Sequence, residues 1–214
     1  MFLDALAELD VDNSIKVAIT LMLQLGLRSG EARGLRWVDI DFLDGVVHIE
    51  KNVGETFNGL ALTELKTKRS RRKLPLSPAL RDILIEHKNF LEEQSKVLGS
   101  MWEDSGVVCP NVTGGLMAKS TPSKAIKRIL NARKSLPRGL HPHSMRHSFV
   151  SLLIASGVDV VAVAGLAGDS VPIIAKTYAH SFQEREAAAM DIVGTTFAQL
   201  ASNQAPLKLA VIEG

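Results

Sequence analysis

Apolar residues recur along most of this chain at the spacing of one helix face. In "NSIKVAITLMLQLGL" the positions Ile15, Val17, Ala18, Leu21, Met22 and Leu25 share a face, with Asn13 placed to cap the start and Gly26 to end the helix. The pattern then changes. "GVVHIEKNV" (45 to 53), "GLALTELKT" (59 to 67) and "SRRKLPLS" (70 to 77) are short segments separated by turn residues, which predicts a three-stranded antiparallel meander. Helical spacing resumes at Ser77-Pro78 and continues to about Leu98. A further helix is predicted from about Thr121, with Pro122 in its first turn, to about Lys134, and others over 143–156, 159–167, 171–178 and 183–200. After Pro206 the tail "LKLAVIE" has the character of a short strand that needs a sheet edge to pair with.

The fold class implied is α+β, mainly α-helical with a small three-stranded antiparallel sheet. No repeat, low-complexity tract or Pro/Gly/Ser-rich linker divides the chain, so residues 1–200 are expected to form a single domain and 201–214 a tail. With one cysteine, Cys109, no internal disulfide or thiolate cluster can form, which suits a reducing compartment. No apolar run approaches the roughly 20 residues of a membrane helix, and "MFLDALAELD" carries acids where a signal peptide carries bases, so a cytoplasmic location with no membrane contact is expected. The net charge of +2 does not announce a polyanion partner, so the placement of the charges matters more than their sum.

Four places concentrate groups that are costly to bury and useful against phosphate. In "GLRSGEARGLRW", Arg28 follows a glycine turn and opens a helix with Glu31 three residues on; this is either an ordinary surface pair or an arginine held inward. "LKTKRSRRKLPL" crowds Lys66, Lys68, Arg69, Arg71, Arg72 and Lys73 into one hairpin, either a solvated charge run or a ridge of cations along a groove. "HPHSMRHSF" brings His143 and Arg146 onto one helical face, with His141 and His147 beside them. The histidine spacing does not suit a zinc metalloprotease, no cysteine is available as a partner, and Arg146 would repel a cation, so no metal is expected. The fourth place is "AKTYAHS", which holds the only tyrosine, Tyr178, two residues before His180. A lone tyrosine most often packs its ring in a core and satisfies its hydroxyl nearby.

Taken in order, these four segments resemble the boxes of the tyrosine recombinases, or phage-type integrases, in their catalytic domain. "LGLRSGEARGLRWVDIDF" is similar to the first-arginine box, which implies Arg28 as the first catalytic arginine and Glu31 as its acidic neighbour. "LKTKRSRRKLPL" resembles the β-hairpin box, with Lys66 as the catalytic lysine ahead of the less suitable Lys68. "HPHSMRHSFVSLLIASGVD" is similar to the His-x-x-Arg box, giving His143 and Arg146, and "LAGDSVPIIAKTYAH" resembles the nucleophile box, giving Tyr178. One position departs from the pattern: where the family usually has His or Trp, this chain has Asp169, expected either to orient a cation such as His143 or Arg146 or to cap the helix starting near Val171.

The chemistry is coherent on its own terms. Two guanidiniums, Arg28 and Arg146, suit the extra charge on a phosphodiester under attack. A phenol of pKa about 10 needs help to become a nucleophile, with His143 to take or hold a proton. Lys66 on a mobile hairpin can protonate the leaving 5′-hydroxyl. The resemblance implies a site-specific DNA recombinase working through a 3′-phosphotyrosine without metal or nucleotide cofactor. Its partner would be a double-stranded recombination site, bound by a monomer that assembles four to a synapse. His147 and His180 are supporting residues, and Lys68, Arg69, Arg71, Arg72 and Lys73 are DNA contacts. The family's N-terminal core-binding and arm-binding domains find no counterpart, so a catalytic fragment from a prokaryotic or mobile-element enzyme is expected. A type IB topoisomerase or a non-catalytic DNA-binding module are the alternatives.

Overall fold

The structure, a computed structural model, describes residues 2–203. It begins with a short helix the sequence pattern did not suggest, α1 (Phe2–Glu8), followed by α2 (Asn13–Gln24) and α3 (Ser29–Gly34). α2 is the centre of the main core: Ala18, Ile19, Leu21 and Met22 are all fully buried. Its cap is one residue earlier than expected. The Asp12 carboxylate accepts the Ser14 backbone N–H at 2.8 Å, and Asn13 instead reaches the buried His87 ring at 3.0 Å.

The predicted meander is replaced by two sheets. β1 (Ile40–Asp41), β2 (Val46–Ile49) and β5 (Arg72–Pro75) form a three-stranded antiparallel sheet in the order β1-β2-β5, while β3 (Lys51–Thr56) and β4 (Gly59–Glu64) form a separate hairpin. The reason lies at Glu50, an exposed residue that interrupts what reads as one strand over 45–53. Before it, Val47 and Ile49 turn their side chains into the main core and pair with Leu74 and Arg72; after it, Val53 pairs with Leu62. Residues 65–71 leave the hairpin through the short 3-10 turn Lys68–Ser70, so Lys66 sits on a connecting loop and not in a strand.

The remaining described elements are helical: α4 (Pro78–Leu98), α5 (Ser120–Ala132), α6 (Pro142–Ala155), α7 (Val160–Ala167), α8 (Val171–Thr177) and α9 (Ala179–Asn203). α4 starts as anticipated, with Ser77 accepting the Leu80 N–H and Pro78 in the first turn. α9 starts four residues before the predicted 183, directly after Tyr178, because no breaker follows the tyrosine. The predicted terminal strand after Pro206 lies outside the described residues. Among those residues no single helix is long and apolar enough to cross a membrane.

The core has two parts. Helices α2, α4 and α5 and the three-stranded sheet enclose the larger cluster; Val150, Ile154, Val163, Ala164, Ala167 and Ile174 of α6–α8 form a smaller one. The loop before α3, with Arg28, and the loop after α7, with Asp169, meet Arg146 of α6, and the polar residues gather there. The mainly helical α+β class holds, but strand membership and pairing differ from the prediction.

Candidate active site

Arg28 is placed by a turn that only a small residue permits. Gly26 adopts φ +62°, and a β-carbon there would lie 2.3 Å from the Phe149 ring of α6. The chain then turns at Leu27 and caps α3 with Arg28, whose backbone N–H donates to Glu31 at 3.0 Å while its Nη1 donates to the other Glu31 oxygen at 2.8 Å. Glu31 is only 2% exposed. It receives a second cation, Arg72, whose Nη2 donates to it at 3.0 Å. Burial works against the Glu31 carboxylate, but the charge and hydrogen bonds of Arg72 and Arg28 prevail and hold its pKa below the ordinary value.

Arg146, on the first turns of α6, is buried and stretched between backbone carbonyls. Its Nη1 donates to Gly26 O at 2.6 Å, and its Nη2 donates to Ala167 O and, at 2.7 Å, to Asp169 Oδ2. The other Asp169 oxygen accepts from Arg28 Nη2 at 2.5 Å. One carboxylate therefore bridges the two arginines. Asp169 follows Gly168, the left-handed residue ending α7 at φ +66°, and its N–H donates to Ala164 O. The helix-cap expectation for Asp169 fails: Ser170 caps α8 by accepting the Ile173 N–H, because Asp169 is one residue too early and is already committed to the guanidiniums. Nor does Asp169 meet His143; of the two cations proposed for it, the one it touches is Arg146.

Tyr178 ends α8, its N–H donating to Ile174 O, and leads into α9. Its half-buried ring packs against the smaller core cluster, as a lone tyrosine usually does, but its hydroxyl shares a 2.5 Å hydrogen bond with His147 Nδ1. Burial raises the phenol pKa, Arg146 opposes that rise and Asp169 adds to it. The hydroxyl's partner is thus His147 and not His143. His143 meets the His147 ring edge-on at 4.5 Å between centroids, and its own pKa is lowered by burial and by the neighbouring His147 and Arg146. The His141 ring lies parallel to that of His143 at 6.4 Å between centroids, and His180 lies exposed on the first turn of α9.

The hairpin cations divide. Lys66 is exposed on the wall of a cleft of about 800 Å³ that also includes Arg28, Ser70 and Lys119. Arg69 and Lys73 are exposed, Arg71 is exposed and paired with Glu64 at 2.8 Å, and the Lys68 side chain lies outside the described part. Arg72 is different. Its side chain is 5% exposed, with Nε donating to Leu166 O and Nη1 to Ser70 O in addition to Glu31, so it is no outward-facing contact. Strand alternation carries that signal, since Arg72 shares a face with the buried Leu74 while Arg71 and Lys73 face out. Lys119 was not singled out from sequence. It lines both the large cleft and a neighbouring one of about 320 Å³ shared by Arg28, His141, His143 and Arg146.

The profile described as "Phage integrase family" matches residues 2–185. The chain belongs to the phage integrase family. Among similar curated members of that family is a "Tyrosine recombinase XerC-like" protein of Caldanaerobacter subterraneus subsp. tengcongensis, 29% identical over 197 residues, covering 86% of this chain and 50% of the relative. Another is the ICEBs1 integrase of Bacillus subtilis, 28% identical, covering 80% of this chain and 46% of the relative. The chain spans about half the length of these relatives. Solved structures with the same fold include the Tn1549 transposon integrase in complex with circular intermediate DNA, with a TM-score of 0.73 at 21% identity, covering 90% of this chain and 64% of that one. The XerH site-specific recombinase bound to a palindromic difH substrate in a post-cleavage complex also matches, with a TM-score of 0.64 at 20% identity over 88% of this chain and 49% of that one. Phage integrase family membership thus covers nearly all the described elements, from α1 into the start of α9.

Proposed function

We propose that this chain is the catalytic domain of a site-specific DNA recombinase that cuts and rejoins strands through a phosphotyrosine at Tyr178. One observation carries the reading most directly: Arg28 and Arg146 converge on a single bridging anion, in the same cluster as a tyrosine hydroxyl already bonded to an imidazole. A phosphodiester has two non-bridging oxygens that such a pair of guanidiniums can hold and stabilise as charge accumulates during attack. The Tyr178 oxygen forms a bond to phosphorus as the bond from phosphorus to the 5′-oxygen breaks. His147 Nδ1, at 2.5 Å from the hydroxyl, accepts the phenolic proton, and the His143 ring packs edge-on against His147, its own pKa lowered by burial and by His147 and Arg146. Lys66, from the loop bordering the large cleft, supplies a proton to the leaving 5′-hydroxyl.

The resulting ester keeps the energy of the original linkage, so a different 5′-hydroxyl can reverse the steps and complete an exchange without a nucleotide. Exposed Arg69, Arg71 and Lys73 and the cleft residue Lys119 contribute sequence-independent attraction to the DNA backbone. Exchange requires a synapse of four protomers on two duplexes, acting in the cytoplasm where such DNA is found. The deciding experiment incubates the full chain with a pool of nicked duplexes of randomised sequence, from which the cleaved strand diffuses away, and measures adducts that survive denaturation. Wild type should trap DNA on Tyr178, and Tyr178→Phe should trap none while binding the pool equally well. Adduct in the Phe variant would refute the assignment, and relaxation of supercoiled plasmid with no exchange would indicate topoisomerase activity instead.

A further inference from the structure

We propose that Asp169 is a built-in occupant of the phosphate seat, an intramolecular anion that the scissile phosphate must displace before the two arginines can act. The proposal rests on the reading of this cleft as a phosphodiester site. Its physical basis is the list of Arg146 partners. Two of the donors go to backbone carbonyls, Gly26 O and Ala167 O, which anchor the guanidinium; the donor beyond them goes to Asp169 Oδ2 at 2.7 Å. Arg28 repeats the arrangement. One edge of its guanidinium is held by Glu31, and Nη2 turns to Asp169 Oδ1 at 2.5 Å.

Glu31 and Asp169 are therefore not equivalent. Glu31 is 2% exposed and clamped from beneath by Arg72, whereas the Asp169 side chain is 23% exposed and is the carboxylate of the pair that solvent can reach. A carboxylate spanning two guanidiniums presents two oxygens and one negative charge, the same features by which those guanidiniums would hold a phosphodiester. Both cannot occupy the seat at once without placing like charges together. The backbone around Asp169 is pinned by its own N–H to Ala164 O and by the Ser170 cap of α8, so displacement needs only rotation of the side chain. With the seat filled by the chain itself, small anions and weakly placed phosphates are excluded, and only a duplex held by further contacts supplies enough binding energy to open it.

The test uses the full chain and inorganic phosphate, followed by thermal unfolding, with Asp169→Asn and Asp169→Ala beside wild type. Phosphate should stabilise both variants at a concentration on the order of tenfold lower than wild type requires, the factor expected from one charged hydrogen-bond competitor. Either variant suffices if the other fails to fold. On the randomised nicked pool both should form adduct faster than wild type at subsaturating DNA, because no carboxylate has to be displaced from the two arginines. Identical phosphate responses in all three proteins, or a strong wild-type response at submillimolar phosphate, would overturn the proposal. Loss of adduct in both variants without a changed phosphate response would likewise refute it, making Asp169 a positioning residue. If no protein forms adduct but the phosphate responses separate as expected, the occupied seat stands and the recombinase reading falls.

Discussion

Two groups of cations lie within the same part of this molecule and obey different physics. Arg28, Arg72 and Arg146 are drawn into a network with Glu31 and Asp169, where Arg72 and Arg146 are almost wholly buried and their donors go to backbone carbonyls and carboxylates. Arg69, Arg71 and Lys73 stand exposed on the neighbouring loop and strand β5. Buried guanidiniums cost several kcal/mol each to desolvate, and they persist only where partners hold them in one geometry. Exposed ones cost little and are held loosely, so they attract a polyanion over a distance set by salt. Under the proposed function, cations therefore serve orientation in one region and capture in the other.

The contrast can be broken most severely from the buried side. Arg146→Ala should lower adduct formation by about two to three orders of magnitude, the cost of removing one oxyanion donor, with little change in binding of the DNA pool. Comparable losses in binding would place Arg146 among the capture residues. Glu31→Gln, which strips Arg72 of its charged partner, should destabilise the fold by about 3–5 kcal/mol in denaturant melts. A loss near zero would mean that the backbone carbonyls alone sustain Arg72. His147→Phe should slow adduct formation by a factor on the order of a hundred or more, without weakening DNA binding, if the imidazole accepts the Tyr178 proton.

Acid and salt separate the two groups more finely. The pKa values of Glu31 and Asp169 are depressed in the fold from ordinary values of 4.5 and 3.8. Depressed carboxylates add stability that is fully present above those ordinary values and is lost as pH falls through the lower folded ones. Wild-type melts should thus begin to fall as pH drops below about 6.5, where burial holds His87 and His143 against protonation, and fall more steeply below about 4, where the two carboxylates titrate; Glu31→Gln should flatten part of the lower fall. The smallest effect belongs to the exposed cations of the loop and β5. Replacing Arg69 and Lys73 with alanine should leave melts unchanged and reduce the slope of log binding against log salt by up to about 1 per charge removed. An unchanged slope would show that the DNA passes elsewhere.

What could be read from the sequence was what short-range chemistry determines. Ser77-Pro78 opened a helix where expected, and the Arg28–Glu31 pair formed because a three-residue spacing brings the two side chains together. Asp169 was legible only as an oddity. Its partners are 141 and 23 positions away, and no local pattern distinguishes a carboxylate bridging two arginines from one that caps a helix. The meander failed for a related reason: turn signals mark where strands end, but pairing of β2 with β5 over the intervening hairpin is settled by which faces reach the core. The hydroxyl bond of His147 was hidden among several neighbouring histidines, since helical geometry fixes which face they occupy but not which ring a tyrosine from another helix meets.

The bond from Arg146 to Gly26 O, together with the Phe149 ring seated against Gly26, has a mechanical meaning. The loop carrying Arg28 and the helix carrying Arg146 are bolted at a point where even a methyl group would not fit. The two jaws of the anion clamp cannot spread by sliding past each other. On the recombinase reading, an opening that admits a duplex comes from the parts hung on this block, the connecting loop with Lys66 on one side and the joint at Tyr178 on the other.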